Sequence, residues 1–410
     1  MDYKNIKIGF IGSMNAMPMN YALKFYEEGF DVKYIVESPR DNMLMRPEYH
    51  FKSIDYPYPN WIKEIPFKKN IFRLLFNRLF TRKLYNQMKD CDVIFFNHYG
   101  FHLSSYFDEK KYIKIALFSG ADLDIACNYD HILDSVRDNE NIFIKYLKKR
   151  VLKTSVDRYI KGIRTCQILS YFPIGMNKIG DNLIEKIMEG KEFIDIRRHV
   201  LNLKETGIEF VAPKNNKKLV LLSGVRFLIK TTKHNIFEYK GNDLIIKAIA
   251  KFYTINKNIE VHFIEKGSKE NIEIAKQLCN DLGIEDIIIW HKEMSLDNLL
   301  ELYKKSDVIF DQVGRHWMGA IGVYALYMGK PLITNARLDV FENIWGKDIP
   351  ILNASSVDEI FNHLVACQQY EYRYKISKAS HEFAKEKLDS IIAYNQYKSA
   401  ILDLYSKKKS

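Results

Sequence analysis

A chain of 410 residues is too long for one ordinary hydrophobic core and suits two. Hydrophobic residues make up 47% and charged residues 28%, the balance of a folded protein, and no apolar run approaches the ~20 residues of a membrane span, so any membrane contact is expected to be peripheral. The net charge of +11 suits phosphorylated small molecules or anionic lipid, or reflects only a Lys-rich composition; no nucleic-acid-binding motif accompanies it, so no nucleic-acid partner is expected.

Five cysteines, Cys91, Cys127, Cys166, Cys279 and Cys367, are odd in number and far apart, with no metal-binding spacing. They are expected to be reduced, buried residues of a cytosolic protein. Residues 1–7 are charged and the first apolar run is short, so no secretory leader is expected.

In chain order, Ile6–Gly12 reads as a strand entering a turn, Asn20–Glu28 as a helix and Val32–Val36 as a second strand. Val93–Phe96, Ile113–Phe118 and Ile168–Phe172 are further buried strands. The stretch from His199 to Lys218, with Pro213 and a polar run, reads as a linker. A second series follows, with strands at Leu219–Ser223, Glu260–Ile264, Asp286–Trp290, Val308–Asp311 and Pro331–Thr334. Helices are predicted at Asp243–Tyr253, Ser268–Leu282, Leu296–Lys304, before Met328, and from Val357 to the basic end. Strands alternating with helices mean parallel sheets with both faces covered. The pattern predicts an α/β chain of two Rossmann-like, doubly wound domains facing each other across a cleft. They occupy residues 1–200 and 215–375, with a C-terminal helix over 376–410 packing back on the first.

The strongest chemical signal is Asp311–Thr334, where a strand ends in a loop with glycines and a helix follows. The amides and dipole of such a helix start suit a diphosphate, and Gly319 and Gly322 are expected to let phosphates approach the backbone. Glycine spacing alone equally fits an ordinary α/β loop. Asp311, Gln312, Trp317, Gly319 and the run Gly329, Lys330, Pro331 resemble, in register, the donor-binding signature of family 4-like GT-B glycosyltransferases. The resemblance implies a nucleotide-sugar donor held by this segment, including Met318. It departs at His316 and Tyr324, where that family often carries glutamates, the second binding the nucleotide ribose. The resemblance also implies that Arg226, after the first strand of this domain, and Lys240, before the next helix, contact the diphosphate. Two fixed cations stabilise a leaving nucleoside diphosphate without a metal. No metal or other cofactor is therefore expected. Lys266 is a further candidate phosphate contact, and His291 is placed like the segment that meets the base, or lies simply at the surface.

The first half matches in pattern only. Gly12 and Ser13 open a loop that is not GxGxxG, so a dinucleotide fingerprint is absent. In the resembling family this loop lies beneath the donor sugar and phosphates. Ser119–Leu123 looks like the Gly-Ser-Asp loop of related transferases, which makes Asp122 a candidate catalytic polar group at the reacting sugar or acceptor hydroxyl; a helix-capping aspartate is the competing reading. His98, just past another strand, is a candidate for positioning the acceptor or acting as base, or is structural.

Lys68–Lys83 is a basic amphipathic stretch, and Lys145, Lys148, Lys149 and Arg150 form a second cluster. Both suit an anionic membrane surface or the wet face of a core helix. The resemblance implies a cytoplasmic enzyme, peripheral at the inner face of a bacterial plasma membrane, acting on a saccharide or polyprenyl-linked saccharide acceptor in surface polysaccharide or glycoconjugate synthesis. It favours retention of anomeric configuration. A nucleotide-sugar epimerase and an inactive accessory protein of the same fold are the alternatives.

Overall fold

The computed structural model describes residues 5–65, 78–134, 141–197, 207–215, 218–231, 239–314 and 318–409. The chain divides into two compact units, residues 1–202 with 390–410, and residues 203–389.

The first unit carries strands β1 (Lys7–Ile11), β2 (Asp31–Val36), β3 (Ile62–Glu64), β4 (Val93–Phe96), β5 (Ile113–Leu117), β6 (Ile168–Tyr171) and β7 (Ile194–Arg197). Between them run helices α1 (Met19–Glu27), α2 (Arg78–Met88), α3 (Phe101–Ser104), α4 (Ala121–Asp124), α5 (Tyr129–Asp134), α6 (Ile142–Arg164) and α7 (Lys178–Met188). The strands are parallel, in the order β3-β2-β1-β4-β5-β6-β7. β1, β4 and β5 are almost continuously buried, as expected of strands covered on both faces.

The second unit carries β8 (Leu219–Ser223), β9 (Ile259–Glu265), β10 (Ile288–Lys292), β11 (Val308–Phe310), β12 (Leu332–Thr334) and β13 (Leu352–Asn353). Its helices are α8 (Asn242–Tyr253), α9 (Lys269–Asp281), α10 (Leu296–Lys305), α11 (Ala320–Met328), α12 (Leu338–Trp345), α13 (Val357–Cys367) and α14 (Tyr370–Lys387). This sheet is also parallel, in the order β10-β9-β8-β11-β12-β13. Both are doubly wound Rossmann-like sheets, whose ligand crevice lies at the carboxyl ends of the strands where the winding reverses. Here that is beside β1 and β4 in one unit, and beside β8 and β11 in the other.

The last helix, α15 (Ile391–Lys409), belongs to the first unit. Tyr397 meets Tyr21 edge-on at 4.8 Å between centroids and Tyr394 meets Phe25 at 4.6 Å. Each fully buried side chain of this kind stabilises by about 1.5–3 kcal/mol. The preceding α14 packs within the second unit.

Sequence patterning located the central strands. The strand expected at Asp286–Trp290 instead starts at Ile288, because Glu285–Ile287 forms a single 3-10 turn first. The edge strands β3, β7 and β13 lack the continuous apolar run that marks the central strands. Most of Lys68–Lys83 lies outside the described residues; its end forms the start of α2. All five cysteines are buried free thiols. Among the described residues, no helix is long and apolar enough to cross a membrane.

Candidate donor site and the loops of the first sheet

In the second unit the chain leaves β8 through Ser223 and Gly224 and places Arg226 at the surface. The next amide, Phe227 N, donates to Lys266 O at 2.7 Å, and Phe227 bridges Gly267. Arg226 is thereby held beside the end of β9, where Lys266 lies half-buried within 3.8 Å of Glu293. On the other side, Leu228 N donates to Oδ1 of the buried Asn242 at 3.1 Å. Asn242 opens α8, directly after Lys240 and Gly241. The carbonyl of Lys240 accepts from Val313 N and Gly314 N at 3.0 and 3.1 Å, and its Nζ donates to Gln312 Oε1 at 2.6 Å. These bonds bring Arg226, Lys266, Lys240 and Gln312, widely separated in sequence, to the carboxyl edge of the sheet at its reversal point.

Asp311 is buried beneath this edge. Its Oδ1 accepts from Gln312 N at 2.8 Å and its Oδ2 from Gly319 N at 2.5 Å. Burial raises its pKa, opposed by the Gly319 and Gln312 amides and by Lys240. A methyl group on Gly322 would stand 2.9 Å from Asp311 Oδ2 and 2.4 Å from Met318 Cγ. Gly319 and Gly322, expected from the sequence to let phosphates approach the backbone, both lie against Asp311. The Gly319 amide is engaged by Asp311, and the missing Cβ at Gly322 accommodates the same carboxylate. Asp311 therefore braces the start of α11 from inside. Met318 is buried beside it, whereas Tyr324 is half-buried one turn into the helix, with its hydroxyl pushed up to about 12 by burial and so kept protonated. Arg315, His316 and Trp317 lie outside the described residues.

His291, in the edge strand β10, shares a 2.8 Å hydrogen bond with His262, whose other ring nitrogen meets Glu260 Oε1 at 2.9 Å. Burial, then the neighbouring His262, lowers the His291 pKa, which favours the neutral ring at pH 7.

The first unit has a comparable arrangement at its own reversal point. Gly12 adopts φ +99°, and a side chain there would strike Asn97 O at 1.8 Å. Asn15 (φ 56°) and Ala16 (φ 52°) follow on the same loop, and His98 (φ 47°) begins the loop after β4. Three non-glycine residues in the left-handed region on two adjoining loops store strain of the kind that concentrates at functional sites. His98 is half-buried with its ring 3.9 Å from that of Tyr99.

Beneath the loops are two buried carboxyl groups. Glu37 Oε2 accepts from Gly12 N at 3.2 Å, and Ser13 Oγ and Ser38 Oγ share a bond at 3.3 Å. Burial raises the Glu37 pKa to about 8, although the Gly12 and Ser13 amides oppose it. Asp122 is buried with Oδ1 and Oδ2 accepting from Ser119 N at 2.8 and 3.0 Å, and with Asn97 Nδ2 donating to Oδ2 at 3.0 Å. Burial raises its pKa to about 7. Asp122 thus sits inside the fold, folding its own loop back on itself. Asp124 belongs to a different network, accepting from Asn177 Nδ2 at 2.8 Å. Among the described residues, no group of three or more His, Cys, Asp or Glu side chains is placed to hold a metal ion.

Glu37, Asn97 and Asn242 carry much of this geometry and were not singled out from the sequence. The available signal was positional: Glu37 directly follows β2, Asn97 directly follows β4, and Asn242 starts α8.

Neither a protein-family model nor a curated protein matches the sequence. Solved structures do. The sucrose-phosphate synthase from Thermosynechococcus elongatus aligns over 98% of this chain and 100% of its own, with TM-score 0.62 and 12% identity. The Anabaena protein HepE in complex with UDP and glucose aligns over 96% and 98%, with TM-score 0.63 and 10% identity. A putative UDP-N-acetylglucosamine 2-epimerase from Listeria monocytogenes aligns over 98% and 97%, with TM-score 0.56 and 12% identity. The fold class is that of these proteins, the GT-B class with its pair of Rossmann-like domains.

Proposed function

We propose that the chain is a glycosyltransferase of the hexosyl-transferring kind, taking its sugar from a nucleoside-diphosphate sugar. The observation that carries this is the gathering of Arg226, Lys240 and Lys266 at the reversal point of the second sheet, beside the start of α11. Cations fixed there stabilise the charge of a departing diphosphate. That a protein of this fold was solved with UDP and glucose supports the choice of ligand. Tyr324 replaces a carboxylate by a neutral hydroxyl that can donate to and accept from a ribose. His291 is assigned to the base side of the same site.

In this reading the first unit presents the acceptor, which the Gly12–Ala16 loop and His98 meet. Asp122 and Glu37 are positioning residues that shape those loops from beneath. The acceptor is a saccharide, free or borne on a polyprenyl lipid at the inner face of a bacterial membrane, in surface polysaccharide or glycoconjugate synthesis. The reaction uses no metal and retains anomeric configuration. The likeness to an epimerase structure supports a second reading, in which the same donor is turned over with no acceptor present.

A thermal-shift screen of nucleoside diphosphates and their sugars, repeated after chelation, tests the donor site. A shift with one base that survives chelation is the expected result. No shift with any nucleotide, from a folded sample, sinks the transferase and epimerase readings together and leaves an inactive accessory protein. Turnover of a nucleotide sugar without acceptor selects the epimerase.

A further inference from the structure

Helix α6 is two different objects joined end to end. Its Asn141 cap accepts from Phe143 N at 2.9 Å. From Val151 onward it is anchored in the first unit by the buried residues Val151, Ser155, Val156, Tyr159 and Ile163. Before Val151 no described residue of the helix is buried, yet the sequence there is strongly apolar. Ile142 is 86% exposed, Phe143 72%, Tyr146 63%, Leu147 50% and Ile144 48%.

At 3.6 residues per turn, Ile142, Phe143, Tyr146 and Leu147 share one face. Cations continue and border it: Lys149, Arg150 and Lys153 are exposed, and no Asp or Glu occurs from Ile142 to Val156. Leaving such a face in water is unfavourable, and a cluster of exposed apolar side chains marks an interaction surface. The absence of any carboxylate among so many cations selects a negatively charged partner. A layer with anionic groups outside and hydrocarbon beneath satisfies both halves of the pattern at once.

We propose that the first turns of α6 dock the chain on an anionic lipid bilayer. Ile142, Phe143, Tyr146 and Leu147 enter the boundary between headgroups and acyl chains, while Lys149, Arg150 and Lys153 meet lipid phosphates. The anchored half of the helix fixes the first unit to the surface. The docking rests on the proposed transferase function only for its purpose, access to a lipid-borne acceptor; its physical argument is independent of that function.

The test is co-sedimentation of the full chain with vesicles of phosphatidylglycerol and phosphatidylcholine, beside vesicles of phosphatidylcholine alone. Binding is expected on the anionic vesicles only and weakens as salt rises. The double variant Phe143→Asp, Leu147→Asp should lower the partition coefficient at least about tenfold, and Lys149→Glu with Arg150→Glu should do likewise. Both variants should keep the parent's unfolding midpoint, since every altered residue is exposed. Failure of the parent to pellet with anionic vesicles, or equal pelleting of the variants, overturns the proposal. So does a parent that dimerises in solution through this face, becoming monomeric in the Asp variant without binding lipid. Vesicle binding uses no nucleotide. A chain that pellets but shows no nucleotide shift therefore loses the transferase reading and keeps the docking, and the opposite result does the reverse.

Discussion

Asn97 donates its Nδ2 to Asp122 Oδ2 at 3.0 Å while its Oδ1 accepts the Met14 amide at 2.9 Å. One side chain at the end of β4 therefore ties the strained loop after β1 to the loop after β5, and the Met14 bond fixes which end of the amide faces which loop. In Asp122→Asn, either the new amide nitrogen faces Asn97 Nδ2, donor against donor, or a bond to Ser119 N is lost. The expected cost is about 1–3 kcal/mol in chemical denaturation. Faster hydrogen exchange over residues 12–16 should accompany it. A variant as stable as the parent would show that this network does not hold the loop.

Glu37 makes stability depend on pH. Its carboxyl titrates at about 8 in the fold against 4.5 for an ordinary glutamate, so the folded chain holds the proton more tightly than the unfolded chain. Its contribution is fully present below about pH 4.5 and is lost as pH rises toward 8. Asp122, raised to about 7, acts in the same direction. Glu37→Gln keeps an oxygen for the Gly12 amide but cannot ionise. Unfolding midpoints taken from pH 5 to pH 9 should fall for the parent and fall less for Glu37→Gln. Parallel curves would mean that the carboxyl is already ionised in the fold.

Gly322→Ala tests the brace under α11. Alanine is the better helix former by about 1 kcal/mol, so on an open face it would stabilise. Here its methyl would meet Met318 Cγ at 2.4 Å, Asp311 Oδ2 at 2.9 Å and Leu332 Cδ2 at 3.0 Å. Overpacking of this kind costs about 1–3 kcal/mol, so the net change is expected to be destabilising. A stabilised protein would show that Asp311 moves freely and braces nothing.

Arg226 and Lys240 separate binding from folding. Arg226 is exposed, so Arg226→Ala should change stability by no more than about 0.5 kcal/mol. Lys240→Met also removes the 2.6 Å bond to Gln312, at about 1 kcal/mol. Each is expected to weaken nucleoside-diphosphate affinity at least about tenfold by calorimetric titration, since each removes a fixed cation from a phosphate. Affinity unchanged in both variants would place the nucleotide elsewhere.

Several strands were legible because their apolar runs are long and bounded, as in Val93–Phe96 and Leu219–Ser223. The glycine-containing loop before α11 was legible as a phosphate-type turn, but the partner of its glycines was not. Gly322 answers to a carboxylate eleven positions earlier, and only the folded chain shows that approach. Glu37 stayed hidden for a related reason. A glutamate just past a strand looks like an ordinary surface residue until Gly12, in the neighbouring strand's loop, closes over it. Arg226 is held near the end of β9 by a backbone bridge at the next residue, Phe227, which side-chain patterning does not encode.

The first unit is made first and finished last. Phe25 and Phe95 are covered by Tyr394 and Tyr397, which leave the ribosome after the whole second unit. A nascent chain halted at Asp389 would have a complete second sheet and a first sheet with one aromatic layer still open to water. The order of synthesis thus runs opposite to the order in which the two cores can close, and the closing residues are carried by α15.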